Sequence, residues 1–265
     1  MDRESYQAFT RKLTANLANR TDVLGLVAVG SMAERDYMPD EWSDHDFYVI
    51  VQSGRQDSYR DNYDWLPSAE EIVWAFRETV HGVKVLYRSG HLLEYAIFDE
   101  NELNLAKTNR YRVLLNRADI EERMSQIEQK TKAWAAETSD AFHAGQFLTN
   151  LLVGLGRYRR GEVLNAHQFV KAKAVRHLVF LLNRHVPSQQ HALADNIDPT
   201  RRFELVYPKL GQELRELMLC EIPVAIQRML TIFEREVTIA KAGVPQEALA
   251  VIAEHVGCDG SQGVA

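Results

Sequence analysis

"GSMAERDYMPDEWSDHDFYVIV", residues 30–51, is the stretch whose reading decides the fold. Asp44, His45 and Asp46 stand directly before an apolar run, Phe47 to Val51. Gly30 and Ser31 stand directly after another, Leu24 to Val29. Residues 44–51 read as a strand, and their continuous apolar run means both faces are covered. Side chains alternate along a strand, so Asp44 and Asp46 share one side and His45 takes the other. His45 is therefore expected away from the acids and outside the chemistry. Two neighbouring carboxylates repel, and their protonation is coupled. A divalent cation between them removes that cost, and Mg²⁺ prefers carboxylate and phosphate oxygens. Opposite the acids, Gly30 allows close backbone approach. N–H groups where a turn enters a helix suit a phosphate. Either feature alone is ordinary, and only their combination points to a metal and a nucleotide.

Working outward, residues 3–19 read as an amphipathic helix with Tyr6, Phe9, Leu13 and Leu17 at helical spacing. Residues 22–29 are a short buried strand. Residues 32–43 read as a short helix and loop broken at Pro39, and 53–65 as loop. "SAEEIVWAFRETV", residues 68–80, carries Ser68 and Glu71 in capping-box spacing and is expected to be a helix. "VKVLYRSGHLLEYAIF", residues 83–98, is two apolar runs around Ser89–Gly90 and reads as a β-hairpin. From about Asn101 the strand signals fade and helical periodicities take over, at 147–158, 169–182, 212–241 and 245–256. The expected fold class is α+β, with an N-terminal mixed β-sheet carrying helices and then a C-terminal helical bundle. The boundary is placed near residue 120, giving segments 1–120 and 121–265.

The chain has 265 residues, and its 37 acids against 31 bases give a net charge of −6. That balance disfavours a nucleic-acid partner. Cys220 and Cys258 form no metal spacing or disulfide framework and read as reduced thiols. The N-terminus lacks the apolar segment of a signal peptide, and no uncharged apolar run approaches ~18 residues. A cytoplasmic protein without a membrane partner is expected.

The strand, the Gly30–Ser31 turn, the dozen-residue gap and the acid pair together resemble the signature of the DNA polymerase β-like nucleotidyltransferase superfamily. The hairpin and the helical second half agree with the plan of its antibiotic-modifying members. The resemblance implies that Gly30 and Ser31 meet the triphosphate of ATP, and that Asp44 and Asp46 hold Mg²⁺, with two ions expected. It also implies a third acid on a later strand. Glu94, Asp99 and Glu100 are the candidates. Glu94 is preferred as catalytic residue and metal ligand, because an acid inside an apolar strand is costly unless a metal or partner explains it. An acid at this position can serve as general base toward the acceptor hydroxyl.

In the helical half, "RYRRGEVLNAHQFVKAKAVRHLVFLL", residues 157–182, resembles the start of the substrate-binding region of aminoglycoside and lincosamide nucleotidyltransferases. By that resemblance Glu162 binds a substrate amine or replaces Glu94 as base, and Lys173 reaches the triphosphate. Asn165 is expected to cap the helix that follows. Trp42 is a candidate for stacking on a base or substrate. Arg201 and Arg202 are candidates for clamping a phosphate, or for an ion-pair face with Glu204. The leading expectation is AMP transfer from ATP to a hydroxyl of a small molecule, an aminoglycoside or lincosamide, with release of pyrophosphate. A protein-adenylylating enzyme and a non-catalytic nucleotide-binding module are the alternatives. Some relatives build their sites across a dimer, so a homodimer is an open expectation.

Overall fold

A computed structural model describes residues 1–35, 38–237 and 242–257. Cys258 and residues 259–265 lie outside the described residues, as do parts of the stretches 32–43 and 212–241. The chain divides into two compact units, Met1–Ala133 and Trp134–Ala265. Residue 120, the boundary expected from composition, is the first residue of a long helix, α3 (Ile120–Glu137). No described helix is long and apolar enough to cross a membrane.

The first unit is built on six strands: β1 (Val23–Val29), β2 (His45–Val51), β3 (Ile72–Arg77), β4 (Gly82–Tyr87), β5 (Leu92–Phe98) and β6 (Tyr111–Asn116). They lie in the order β3-β4-β5-β2-β1-β6. All neighbours are antiparallel except β2 and β5, so the sheet is mixed. One face packs on α1 (Arg3–Ala18), which buries Tyr6, Leu13 and Leu17 against Leu26, Phe47 and Val49. Its N-cap is Asp2, whose carboxylate accepts from the Ser5 N–H at 2.8 Å. The other face packs Val27 and Ile50 against Ile120, Met124 and Ile127 of α3. A short helix, α2 (Gln56–Arg60), lies in the stretch expected to be loop. Beyond it the buried Trp65 donates its indole N–H to the Asn62 carbonyl at 2.8 Å, edge-on to Phe47 and Tyr95.

Further expectations in the first unit are corrected. Residues 68–80 form no helix. Ser68 sits at φ 53 with no side-chain cap, a single short turn follows, and Ile72–Arg77 is the edge strand β3. The β-branched and aromatic side chains Ile72, Val73, Trp74 and Phe76 suit a pleated surface, and pairing with β4 overrides the capping box. β6, unexpected from the sequence, adds to the outer edge of β1. The β4–β5 hairpin turns at Ser89–Gly90 as expected, with the Gly90 N–H donating to the Tyr87 carbonyl at 2.9 Å.

The second unit is helical. It comprises α4 (Asp140–Arg159), α5 (Val163–His167), α6 (Val175–His185), α7 (Phe203–Val206), α8 (Pro208–Leu217), α9 (Ile222–Glu236) and α10 (Gln246–Gly257). α5 runs into α6 through a π-helical stretch, Gln168–Ala174. Asn165 lies inside α5 and caps nothing, because the chain already turns helical at Val163. The shared core includes Phe147, Leu151, Leu178, Met229 and Phe233.

Candidate active site

The first unit carries its polar centre at one end of β2. Pairing is parallel between β2 and β5, with Asp46 directly opposite Glu94. Asp44 lies two residues earlier on the same side. Oxygens of Asp44, Asp46 and Glu94 all fall within 4.8 Å of one another. Like charges directly opposite each other destabilise a sheet. A nearby cation lowers the cost of bringing three carboxylates together.

Part of that compensation is a residue the sequence analysis passed over. Lys84 of β4 is the antiparallel partner of Glu94. Its ammonium lies 2.9 Å from Glu94 and 3.0 Å from Glu78. Hydrogen bonds to Glu94 and then Glu78 raise its pKa above the ordinary lysine value. A signal for it exists in the sequence: counting outward from a tight turn centred at residue 89 pairs 84 with 94.

The Gly30–Ser31 turn faces the acids from the end of β1. Gly30 has φ 55, and a Cβ there would come within 2.7 Å of Asp46 Oδ2. Only a residue without a side chain leaves the Asp46 carboxylate where it is. Ser31 is buried, and its Oγ has no hydrogen-bond partner. The Tyr6 phenol interacts with it electrostatically without reaching hydrogen-bond geometry, donating instead to the Asp44 carbonyl at 2.8 Å. Buried hydroxyls are normally bonded, so this one is suited to an incoming acceptor. The turn ends at Glu34, which pairs with Arg112 of β6 at 2.8 Å, and Arg112 also donates to the Met32 carbonyl at 3.2 Å. The unexpected strand β6 thus pins the turn.

Behind the acids, His45 is fully buried on the opposite face, as the alternation predicts. Its ring stacks on Tyr6 at 3.7 Å, with Nε2 3.0 Å from Thr10 Oγ1 and Nδ1 2.8 Å from His91 Nε2. Thr10 gives its one hydroxyl proton to the Tyr6 carbonyl, so His45 donates to Thr10 through Nε2–H. Nδ1 of His45 then accepts from His91. Burial, followed by the charge of His91, pushes the His45 pKa down to about 3, and burial pushes His91 down to about 4. Both imidazoles stay neutral in the fold but take up protons below about pH 6.5 when unfolded. The unfolded state then binds more protons, so this contribution to stability is complete above pH 6.5. It is lost as pH falls toward 4, by up to about 1.4 kcal/mol per pH unit for each ring. Imidazole NMR should show neither ring titrating between pH 7 and 5; a normal titration near 6.5 would overturn the assignment.

The remaining candidates fall as follows. Asp99 is buried and spends its carboxylate on the Ser53 hydroxyl, the Gln56 amide and the N–H groups of Asn101 and Glu102. Those bonds, the Glu102 N–H foremost, hold its pKa below the usual carboxylate value. Glu100 pairs with Arg123 at 3.0 Å. Neither is in the acid cluster. Trp42 is 86% exposed, on the turn leading into Asp44. Lys173 and Glu162 belong to the second unit. There Lys173 Nζ lies over the Phe169 ring at 4.0 Å, and Glu162 pairs with Arg157 at 2.6 Å and Arg160 at 3.1 Å. Arg202 bonds Asp195 and the Leu193 carbonyl, so it is already committed within the fold.

A pair of substitutions separates the two third-acid candidates. Asp99→Asn should cost about 1–3 kcal/mol of stability, by unpairing buried donors, with turnover largely kept. Glu94→Gln should lower turnover more than ATP affinity, with little change in melting temperature. Steady-state kinetics and thermal unfolding of both variants check this; the reverse pattern would exchange their roles.

No family model matches the chain, and no curated protein matches it. Among solved structures, an aminoglycoside 6-adenyltransferase from Bacillus subtilis aligns over 95% of this chain and 97% of its own, at 12% identity and TM-score 0.37. A CdnC:HORMA-deltaN complex from E. coli MS115-1 aligns over 88% and 89%, at 14% identity and TM-score 0.30. Likeness at that level carries no functional argument, and the functional reading rests on the site itself.

Proposed function

We propose that this protein is a Mg²⁺-dependent nucleotidyltransferase that moves AMP from ATP to a hydroxyl of a small molecule and releases pyrophosphate. The observation that carries the reading is the convergence of Asp44, Asp46 and Glu94 within 4.8 Å, beside a turn whose glycine is shaped around Asp46. The donor set fits the metal: three carboxylates are hard oxygen ligands, the kind Mg²⁺ takes together with substrate phosphates. When bound, the ion would neutralise charge on the phosphates and on the attacking oxygen.

The chain's own groups supply the rest. Ser31 Oγ, buried beside the Tyr6 phenol, offers a proton to a phosphate oxygen. The backbone of the turn can come close to the triphosphate because Gly30 has no side chain. Glu94 takes the proton of the acceptor hydroxyl. As it does so, the acceptor oxygen bonds to the α-phosphorus and the bond to pyrophosphate breaks. Asp99 is a poor base for this step, since its lone pairs are engaged in its own loop. An aminoglycoside or lincosamide acceptor is the class proposed, on the strength of the R-G-E pattern at residues 160–162. Glu162, in the second unit, is the residue proposed to meet a substrate amine, in competition with its two arginines.

The test is pyrophosphate release from ATP and Mg²⁺ against a panel of aminoglycosides and lincosamides, with Asp46→Asn as blank. Release that depends on one drug class and vanishes in the variant supports both chemistry and acceptor. Tight Mg-ATP binding without release for any drug would remove the antibiotic acceptor and favour a protein acceptor or an inert module.

A further inference from the structure

The acid cluster is one end of a row that runs across the sheet. Strand register places Phe76, Lys84, Glu94 and Asp46 side by side on one face. Lys84 is in the middle of this row, between the cluster and an acid outside it. That outer acid, Glu78, follows β3 and is fixed by its N–H, which donates to the Gly82 carbonyl at 2.9 Å. The ammonium contacts Glu94 Oε1 at 2.9 Å and Glu78 Oε1 at 3.0 Å. An ammonium has three donors and can hold two carboxylates at once. It need not hold both.

We propose that Lys84 is an exchangeable counter-cation for the acid cluster. It balances Glu94 while the cluster holds no ion, and it falls back on Glu78 alone when a divalent ion takes Glu94. This inference rests on reading the cluster as a metal site. The physical reason is competition for one carboxylate. A divalent ion on Glu94 would sit within a few ångströms of the ammonium, and two cations at that separation repel strongly in a partly desolvated site. Glu78 gives the lysine somewhere to go. A free divalent ion then binds weakly, because it must displace a charge already paired. A divalent ion arriving with the negative charge of a triphosphate binds more readily. Lys84 is accordingly a positioning residue, acting through Glu94.

The experiment is a Mn²⁺ titration of the full-length chain without nucleotide, with free Mn²⁺ followed by electron paramagnetic resonance. Lys84→Met should bind Mn²⁺ about tenfold more tightly, since a repelling charge is gone. Glu78→Gln should bind it about threefold more weakly, since the lysine then has only Glu94. The double variant separates this mechanism from simple through-space attraction: Glu78→Gln should have little effect once Lys84 is Met. Lys84→Arg keeps the charge and should stay near wild type. Opposite shifts from the two single variants are not what partial unfolding would produce. Asp46→Asn is the control for the metal reading. If it binds Mn²⁺ as well as wild type, the cluster is not the metal site. If it loses Mn²⁺ while Lys84→Met is unchanged or weaker than wild type, the counter-cation proposal alone fails. An equal Glu78→Gln effect in both backgrounds would also overturn it.

Discussion

Asp46→Asn should lower turnover by about a thousandfold or more while the chain stays folded. The substitution keeps the shape of the side chain and removes one of three converging charges. A hard divalent ion loses a ligand oxygen of the kind it prefers. Little else is lost, because Asp46 stands at the end of β2 and is only half-buried, opposite another carboxylate. Removing like-charge repulsion can even stabilise the sheet slightly. Single-turnover pyrophosphate release and thermal unfolding, run on the same preparation, test both halves. Turnover within about tenfold of wild type would remove Asp46 from the metal site.

Gly30→Ala should be the most damaging change outside the carboxylates. Two costs add. At φ 55 a non-glycine residue pays about 1–2 kcal/mol of backbone strain. Its new Cβ would also meet Asp46 Oδ2 at 2.7 Å, so the carboxylate or the turn must move. If Asp46 does chemistry, moving it by about 1 Å costs about a hundredfold in rate. Gly54→Ala provides the comparison. It has the same sign of φ, at 82°, but nothing lies within 4 Å of the added carbon. Both variants should lose stability in urea unfolding from backbone strain, and Gly30→Ala more, because its Cβ also displaces Asp46 or the turn. Only Gly30→Ala should lose activity. Equal activities would mean that the close approach to Asp46 has no consequence.

Parts of this site were legible because they depend on short-range rules. Two residues apart on a strand means the same side, so Asp44 with Asp46, and His45 opposite, follow from the chain alone. The hairpin was equally local, since Ser89–Gly90 between apolar runs leaves few other conformations. Glu94 stood out because a carboxylate inside an apolar strand needs an explanation, and the structure puts it directly across from Asp46. The misread segment, 68–80, shows the limit of such rules. A capping box is worth about a kilocalorie. Edge-strand pairing of Trp74 and Phe76 with β4 outweighed it, and nothing near Ser68 announces that partner.

The sequence by itself determined which residues could do chemistry: the acid pair, the glycine–serine turn and an isolated strand acid, all set by alternation, composition and turn preference within a few residues. Tertiary structure decided how they meet. Parallel pairing of β2 with β5 joins residues 46 and 94, far apart in the chain, and brings the third carboxylate into the cluster. β4 delivers Lys84 to Glu94, and β6 brings Arg112 to brace the turn. Register between strands depends on the whole packed sheet, where a one-residue slip would send every side chain to the other face. No local window of sequence contains that information.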